Sequence, residues 1–491
     1  MNSSALKYDK QDKQSILMYA RELLGKCVHD LYPDAQYAKA GNKGGLGQRI
    51  EEVHFKFSNN SESEPDFKEA GVELKCTPMK LLKDGSMVSK ERLVLNIINY
   101  LEEYDKTYAT SSFTHKNATI LLMFYLHLKK VDRFDLLFKI IRLWSIPDED
   151  LKIFMDDWAV IHNKIANGLA HQLSEGDTLY LAACVKGSKG GADKRAQKGT
   201  DVLADQRAYS IKSAYINHII VDSLSYPEMV SEVIISEKKK AQIEDKKSNP
   251  NKYKKRSVGR IVKSMSDYRP GETFEELVIR RFSSYFGKTV REIACRLRTS
   301  ISTSPKAVSY SVCRAILGVK SRRIDEFEKA GLQLKTIRLE YNGNLKEAMS
   351  FQTVKYKEII EEDDWYSSDW YETIGAKRFL FIVFRKRKDG APQDAVLERV
   401  FFWAMPKSDV DSIESFWQDT RDKIRAGDYN HFIKQSESEI CHIRPKAKNS
   451  RDMMETPQGG WAKKFCYWLN REYVLNIVRR EATNAIGKRK K

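Results

Sequence analysis

Landmarks in the first half of this chain return in the second half, in the same order and at nearly the same spacing, which requires one fold to be used twice. Gly25-Lys26-x-Val28 recurs as Gly287-Lys288-x-Val290, and Glu69-Ala70-Gly71-Val72-x-Leu74-Lys75 as Lys329-Ala330-Gly331-Leu332-x-Leu334-Lys335. Lys90-Glu91 followed by Tyr100 returns as Lys346-Glu347 followed by Tyr356, and Trp158, Ile165 and Gly168 return as Trp417, Ile424 and Gly427. Gly71 and Trp158 are 87 residues apart, Gly331 and Trp417 86. One short match of this kind is coincidence, whereas four in register are a duplication. At 491 residues the chain is also too long for one ordinary core. Two domains are expected, 1–235 and 271–491, joined by a basic linker over 236–270 that contains EKKKAQIEDKKSNPNKYKKR, with its Asn-Pro break and almost no apolar residue. In each copy helical patterns lead to apolar strands, 119–125 and 379–384, and then to a helix around Trp158 or Trp417. That order predicts a mixed α/β (α+β) fold.

The first copy carries a pattern of catalytic type. EPDFKEAGVELK sets Asp66, Glu73 and Lys75 at the spacing D-x6-E-x-K. Val72-Glu73-Leu74-Lys75-Cys76 alternates apolar and polar, so on a strand Glu73 and Lys75 share a face while Val72, Leu74 and Cys76 pack the core. Asp66 then comes from just upstream, after the break at Pro65. Two carboxylates that hold Mg²⁺ beside an ammonium suit phosphodiester hydrolysis: the metal polarises the phosphate and lowers the pKa of water, and the lysine orients that water. An E-x-K on an amphipathic strand is more often a solvated charge pair, and the duplication adds the context. Glu73 corresponds to Gln333 and Asp66 to Glu326. Glutamine supplies no negative charge, so the second copy loses much of the attraction for Mg²⁺. The first half is the expected catalyst and the second the same fold put to another use.

Two further segments fit a nucleic-acid groove. Upstream of the triad, AGNKGGLGQRIEEVHF enters a helical pattern in which Ile50, Val53 and Phe57 share a face. Its glycines let backbone N–H groups approach a phosphate and Lys43 adds a charge, although a plain helix-start loop reads the same way. Glu51, next to the buried stripe, either reaches the metal site or faces water. Downstream, Cys184-Val185-Lys186-Gly187-Ser188-Lys189-Gly190-Gly191 has its counterpart in His442-Ile443-Arg444-Pro445-Lys446-Ala447-Lys448-Asn449. Such loops either donate to guanine O6 and N7 or contact phosphates only, and spacing does not separate the two.

The formal charge of +18 points to an anionic partner, nucleic acid ahead of membrane. The longest apolar run, 118–126, suits a buried strand and is too short to cross a bilayer, and MNSSALKYDKQDK lacks the apolar core of a signal peptide. A cytoplasmic location is expected. The seven cysteines form no CxxC pair and the nine histidines no HxxxH or HExxH cluster, against a zinc site or a disulfide framework.

NKGGLGQRIEE, PDFKEAGVELK, KERLVLNIINY, SSFTHKNATI and DWAVIHNKIANG together resemble the MutH/Sau family of GATC-specific DNA endonucleases, a branch of the PD-(D/E)xK nucleases. Duplicated and of this length, the whole chain resembles the Sau-type type II restriction endonucleases, which cut before the G of GATC. The resemblance implies tandem MutH-like domains with Asp66 and Glu73 as Mg²⁺ ligands, Lys75 as the catalytic lysine and Glu51 as a helix carboxylate near the metals. It implies Lys43 and Lys116 near the scissile bond, and Lys186 as the loop lysine that reads the site. The mismatch-repair branch has Arg-Pro-Lys where the first half has Cys184-Val185-Lys186, while the second half keeps Arg444-Pro445-Lys446. The branch's methylation-sensing tyrosine falls at about Ser210 here, so that sensitivity does not carry over. The expected activity is Mg²⁺-dependent cleavage of double-stranded DNA at GATC, with Arg444 and Lys446 binding a second GATC copy as allosteric effector. The protein is expected to be a monomer able to dimerise or to loop two-site DNA. The alternatives are a mismatch-repair nicking enzyme, known as a single domain, and a DNA-binding protein without activity, against which the intact triad speaks.

Overall fold

The structure is a computed structural model that describes residues 6–35, 45–57, 64–82, 85–186, 193–231, 258–300, 305–321, 323–362, 364–447, 449 and 451–489. Lys43, most of the glycine-rich loop after Lys186 and the core of the expected linker lie outside the described residues. The chain forms two compact units. Unit 1 comprises Met1–His171, Thr178–Val258 and Arg323–Gly331, and unit 2 comprises Gln172–Asp177, Gly259–Arg322 and Leu332–Lys491. A short piece of each half therefore clusters with the other unit.

Among the described residues, the strands that the first half contributes to unit 1 are β1 (Glu73–Leu81), β2 (Met87–Ser89), β3 (Leu93–Ile97), β4 (Ile120–Leu126), β5 (Phe138–Trp144), β6 (Leu181–Val185), β7 (Lys194–Gln197), β8 (Thr200–Asp205) and β9 (Arg207–Ile211). The main sheet has the order β2-β1-β4-β5, with β1 parallel to β4 and the other pairs antiparallel. The apolar run ILLMFYL becomes β4, and its first five residues are buried, as a strand covered on both faces must be. The helix Asp148–Ala166 opens with Asp148, Glu149 and Asp150, acidic residues that suit the positive end of its dipole. It buries Ile153, Phe154, Asp157, Trp158, Ile161 and Ile165. Asp157 accepts from the backbone N–H groups of Leu179, Tyr180 and Leu181 at 2.8, 2.5 and 2.9 Å, which fixes the start of β6 in the sheet β3-β9-β6.

Unit 2 repeats this plan. Gln333–Leu339 runs parallel to Phe379–Arg385, which pairs antiparallel with Val396–Trp403. A second sheet orders Met349–Thr353, Phe465–Leu469 and Cys441–Pro445 as β3-β9-β6 are ordered in unit 1. The repeated glycines show why they recur: φ is +81° and +80° at Gly25 and Gly287, +62° and +60° at Gly71 and Gly331, and +68° and +77° at Gly168 and Gly427. Each turn needs left-handed backbone at the same place in both copies, where a side chain is strained.

The helix ahead of the triad departs from the 3.6-residue pattern. Gly45–Arg49 is α-helical, but Ile50–His54 is a π-turn closed by Phe55 N–H donating to the Ile50 carbonyl at 3.1 Å. The wider turn buries Ile50, His54 and Phe55 instead of the expected Ile50, Val53 and Phe57. Phe57 is only partly buried against the same core. Within the expected linker, Asp267 ends a short turn, Met265–Asp267, and binds Arg281 at 3.3 Å.

Asp150 is fully buried in unit 1, where Lys329 donates to its two oxygens at 3.0 and 2.8 Å and the Tyr215 hydroxyl donates at 2.7 Å. Lys329 sits on the helix Asp325–Ala330, which belongs to unit 1 although it comes from the second half of the sequence.

Candidate active site

Gly71, in left-handed backbone, turns the chain from Asp66 into β1, and an isolated bridge between Phe67 and Val72 closes the loop. The loop brings Asp66 beside the strand: its Oδ2 accepts from Leu74 N–H at 2.8 Å, and its own N–H donates to Glu73 Oε2 at 3.3 Å. Glu73 and Lys75 lie on one face of β1, with the Lys75 ammonium 2.6 Å from Glu73 Oε1. Val72 and Leu74 are buried on the other face and Cys76 is partly buried there. Lys116, at the end of the helix Ser112–Asn117, reaches to 3.8 Å from the same oxygen.

The π-turn presents Glu51 to this group. Burial, and then the charge of Asp66, push the Glu51 carboxyl up to about 8, with Lys75 pulling the other way. Burial likewise raises the Glu73 carboxyl above its ordinary range, against the pull of Lys75. Three carboxylates are thus gathered at a half-buried place with fewer positive charges than they need. A hard divalent cation with oxygen ligands fits such a donor set. The oxygens of Glu51, Asp66 and Glu73 are not all within 4.8 Å of one another, wider than the roughly 4.2 Å between opposite ligands of one Mg²⁺, so at least one of the three side chains must turn inward for all of them to share an ion. Among the described residues the tighter group is His29, Asp132 and Asp135. There both imidazole nitrogens are already engaged, by Asp135 at 2.7 Å and the Ala35 carbonyl at 3.1 Å.

Lys186 and Lys446 occupy one position in the two copies. Lys186 follows β6 and its N–H donates to the Gln206 carbonyl at 2.8 Å, and Lys446 follows Cys441–Pro445 and donates to the Lys464 carbonyl at 2.9 Å. Strand pairing equates Cys184 with Arg444 and Ser210 with Trp468. Lys186, Arg444 and Lys446 are all exposed. The Arg444 guanidinium stacks 3.7 Å above the Trp468 ring, and the Lys446 ammonium lies 5.2 Å from it. No spacing rule singled out Trp468; only the paired strands align it with Ser210.

The family model for the DNA mismatch repair enzyme MutH matches residues 55–157 and again 317–415, one stretch in each copy. Over 517 aligned positions the chain is 30% identical to the type II restriction enzyme Sau3AI of Staphylococcus aureus, covering 95% of this chain and 98% of the relative. The chain belongs to the MutH/Sau family. It is a restriction-type endonuclease built from tandem MutH-like domains. The DNA mismatch repair protein MutH of Shewanella woodyi is 25% identical over 181 residues, 36% of this chain and 76% of that protein. The mismatch repair protein thus aligns with a part of the chain and the restriction enzyme with nearly all of it. No helix among the described residues is long and apolar enough to cross a membrane.

Proposed function

We propose that the protein is a Mg²⁺-dependent restriction endonuclease that cuts duplex DNA at GATC, with unit 1 as the catalyst and unit 2 as the binding site for a second GATC. The observation that carries this reading is the convergence of Asp66, Glu73, Lys75 and Glu51 in unit 1, set against Gln333 in the same strand position of unit 2. Asp66, Glu73 and Glu51 would hold the ion. Mg²⁺ supplies Lewis-acid polarisation of the phosphate and lowers the pKa of water. Lys75, held at 2.6 Å by Glu73, orients the attacking water and stabilises charge that grows on the phosphate as the P–O bond breaks. Lys116 adds a second ammonium on the same side. Lys186 reads the target in unit 1, and Lys43 supports the scissile strand. Arg444 and Lys446 hold the second site, and the Trp468 face under Arg444 fixes the guanidinium plane for a bidentate contact with guanine. Binding there speeds cleavage in unit 1, on a monomer that loops two-site DNA in the cytoplasm.

Digestion of a defined plasmid with Mg²⁺, followed by end sequencing, tests the reading. Ends that start at the G of GATC are expected from the wild type and none from Glu73→Ala, whose DNA binding remains measurable. Ends without a common sequence, or full cutting by Glu73→Ala, would overturn it.

A further inference from the structure

The strand that carries Glu73 and Lys75 in unit 1 has lost its glutamate in unit 2 but kept its lysine. Lys335 stands in Gln333–Leu339 where Lys75 stands in β1, each opposite the third residue of the parallel neighbour, Phe381 and Leu122. In unit 1 the ammonium is met by Glu73. In unit 2 that neighbour is the neutral Gln333, and the helix Pro305–Ile316, which precedes the strand as the Glu51 helix precedes β1, contains no Asp or Glu. Glu326, the counterpart of Asp66, is 1% exposed and belongs with unit 1. Among the described residues no carboxylate pairs with Lys335. Its ammonium lies 3.4 Å from the Ser350 carbonyl and 4.4 Å from the centre of the Phe351 ring.

The reading loop brings a second ammonium to the same residue, for Lys446 Nζ donates to Ser350 Oγ at 2.7 Å. Lys446 also faces the Trp468 ring on which Arg444 stacks. Lysine, lysine and arginine therefore meet around the strands Met349–Thr353 and Phe465–Leu469, and among the described residues no acid is paired with Lys335 there. Burial, and then the charge of Lys446, press the Lys335 ammonium down to about 8. A half-buried cation repelled by its neighbour gains from an anion placed between them.

We infer that the relic of the metal site in unit 2 is a metal-free phosphate site, in which Lys335 and Lys446 together grip a DNA backbone phosphate while Arg444 reads the base beside it. The inference rests on the reading of unit 2 as a second DNA-binding site. It means that unit 2 takes DNA without a divalent cation, whereas the crowded carboxylates of unit 1 repel phosphate until a cation is bound.

The test is binding of a short labelled duplex with one GATC to the full chain in EDTA, where no cleavage occurs. Wild type should bind one duplex per chain. Lys335→Met, which keeps the packing on Phe351 but removes the charge, should weaken binding about tenfold or more and lower the slope of log K against log salt by about 0.9, one phosphate contact. Lys335→Arg should restore both, and matched melting curves for the two variants would show that the fold is intact. Affinity and slope unchanged in Lys335→Met, or a wild type that binds only after metal is added, would overturn the phosphate site. If Arg444→Ala with Lys446→Ala binds like wild type in EDTA, the duplex is not on unit 2, and the underlying reading falls instead.

Discussion

Replacing Lys329 by methionine should damage unit 1 from a position in the second half of the sequence. The Lys329 side chain is 3% exposed, and it donates to both oxygens of Asp150 and lies 3.1 Å from Asp325. Methionine fills a similar volume, so the packing change alone costs under about 1.5 kcal/mol. The larger loss is electrostatic. Breaking a buried pair leaves an uncompensated charge, at about 3–5 kcal/mol. Tyr215 still donates to Asp150 at 2.7 Å, which favours the lower end, about 3 kcal/mol. Adding Asp150→Asn removes the stranded charge and should recover about half of the loss or more, since replacing both partners is far cheaper than removing one. A chain of two units does not unfold in one step, so the readout is amide hydrogen exchange on peptides from the helix Asp148–Ala166. About 3 kcal/mol corresponds to exchange faster by about two orders of magnitude. Unchanged exchange in Lys329→Met, or an equal loss in the double variant, would refute the pair as a stabiliser of unit 1. The same reasoning predicts that residues 1–235 made alone, lacking Lys329, are less stable than unit 1 in the whole chain. If removal of the second half instead speeds cutting, that half covers the active site.

Glu51 makes the metal-free protein sensitive to pH. Its folded pKa of about 8 lies above the ordinary 4.5, so the folded state holds the extra proton between those values, and stability falls as pH rises through that window. Glu51→Gln should flatten this part of a melting-temperature profile, and Mg²⁺ binding near neutral pH should release a proton, seen by calorimetry in buffers of different ionisation enthalpy. Lys186→Ala should cost about 1–3 kcal/mol of discrimination between GATC and scrambled duplexes; an unchanged ratio would make the lysine a phosphate contact. Two-site plasmids should be cut faster than one-site plasmids, by a coupling of about 1–3 kcal/mol. Arg444→Ala with Lys446→Ala should abolish that stimulation, and equal rates on both plasmids would leave unit 2 a structural role only.

The sequence by itself determined what depends on neighbours along the chain. The duplication was legible because its glycines are demanded by local backbone, as the matched positive φ values at Gly71 and Gly331 show. The pairing of Glu73 with Lys75 was legible because alternate residues of a strand share a face. The apolar run of β4 announced a buried strand for the same local reason. What the tertiary structure alone decided lies where distant segments meet. Periodicity at 3.6 residues could not foresee a π-turn, and without it the direction of Glu51 stayed open. The partnership of Lys329 with Asp150 spans 179 residues, and nothing in either local pattern marks it. Trp468 became a platform for Arg444 only because strands far apart in sequence pair in one sheet, and Lys335 met Lys446 at Ser350 only because a strand of a different sheet packs beside it. Spacing along a chain constrains which side chains share a face of one element, whereas the field around a charge depends on every element packed beside it.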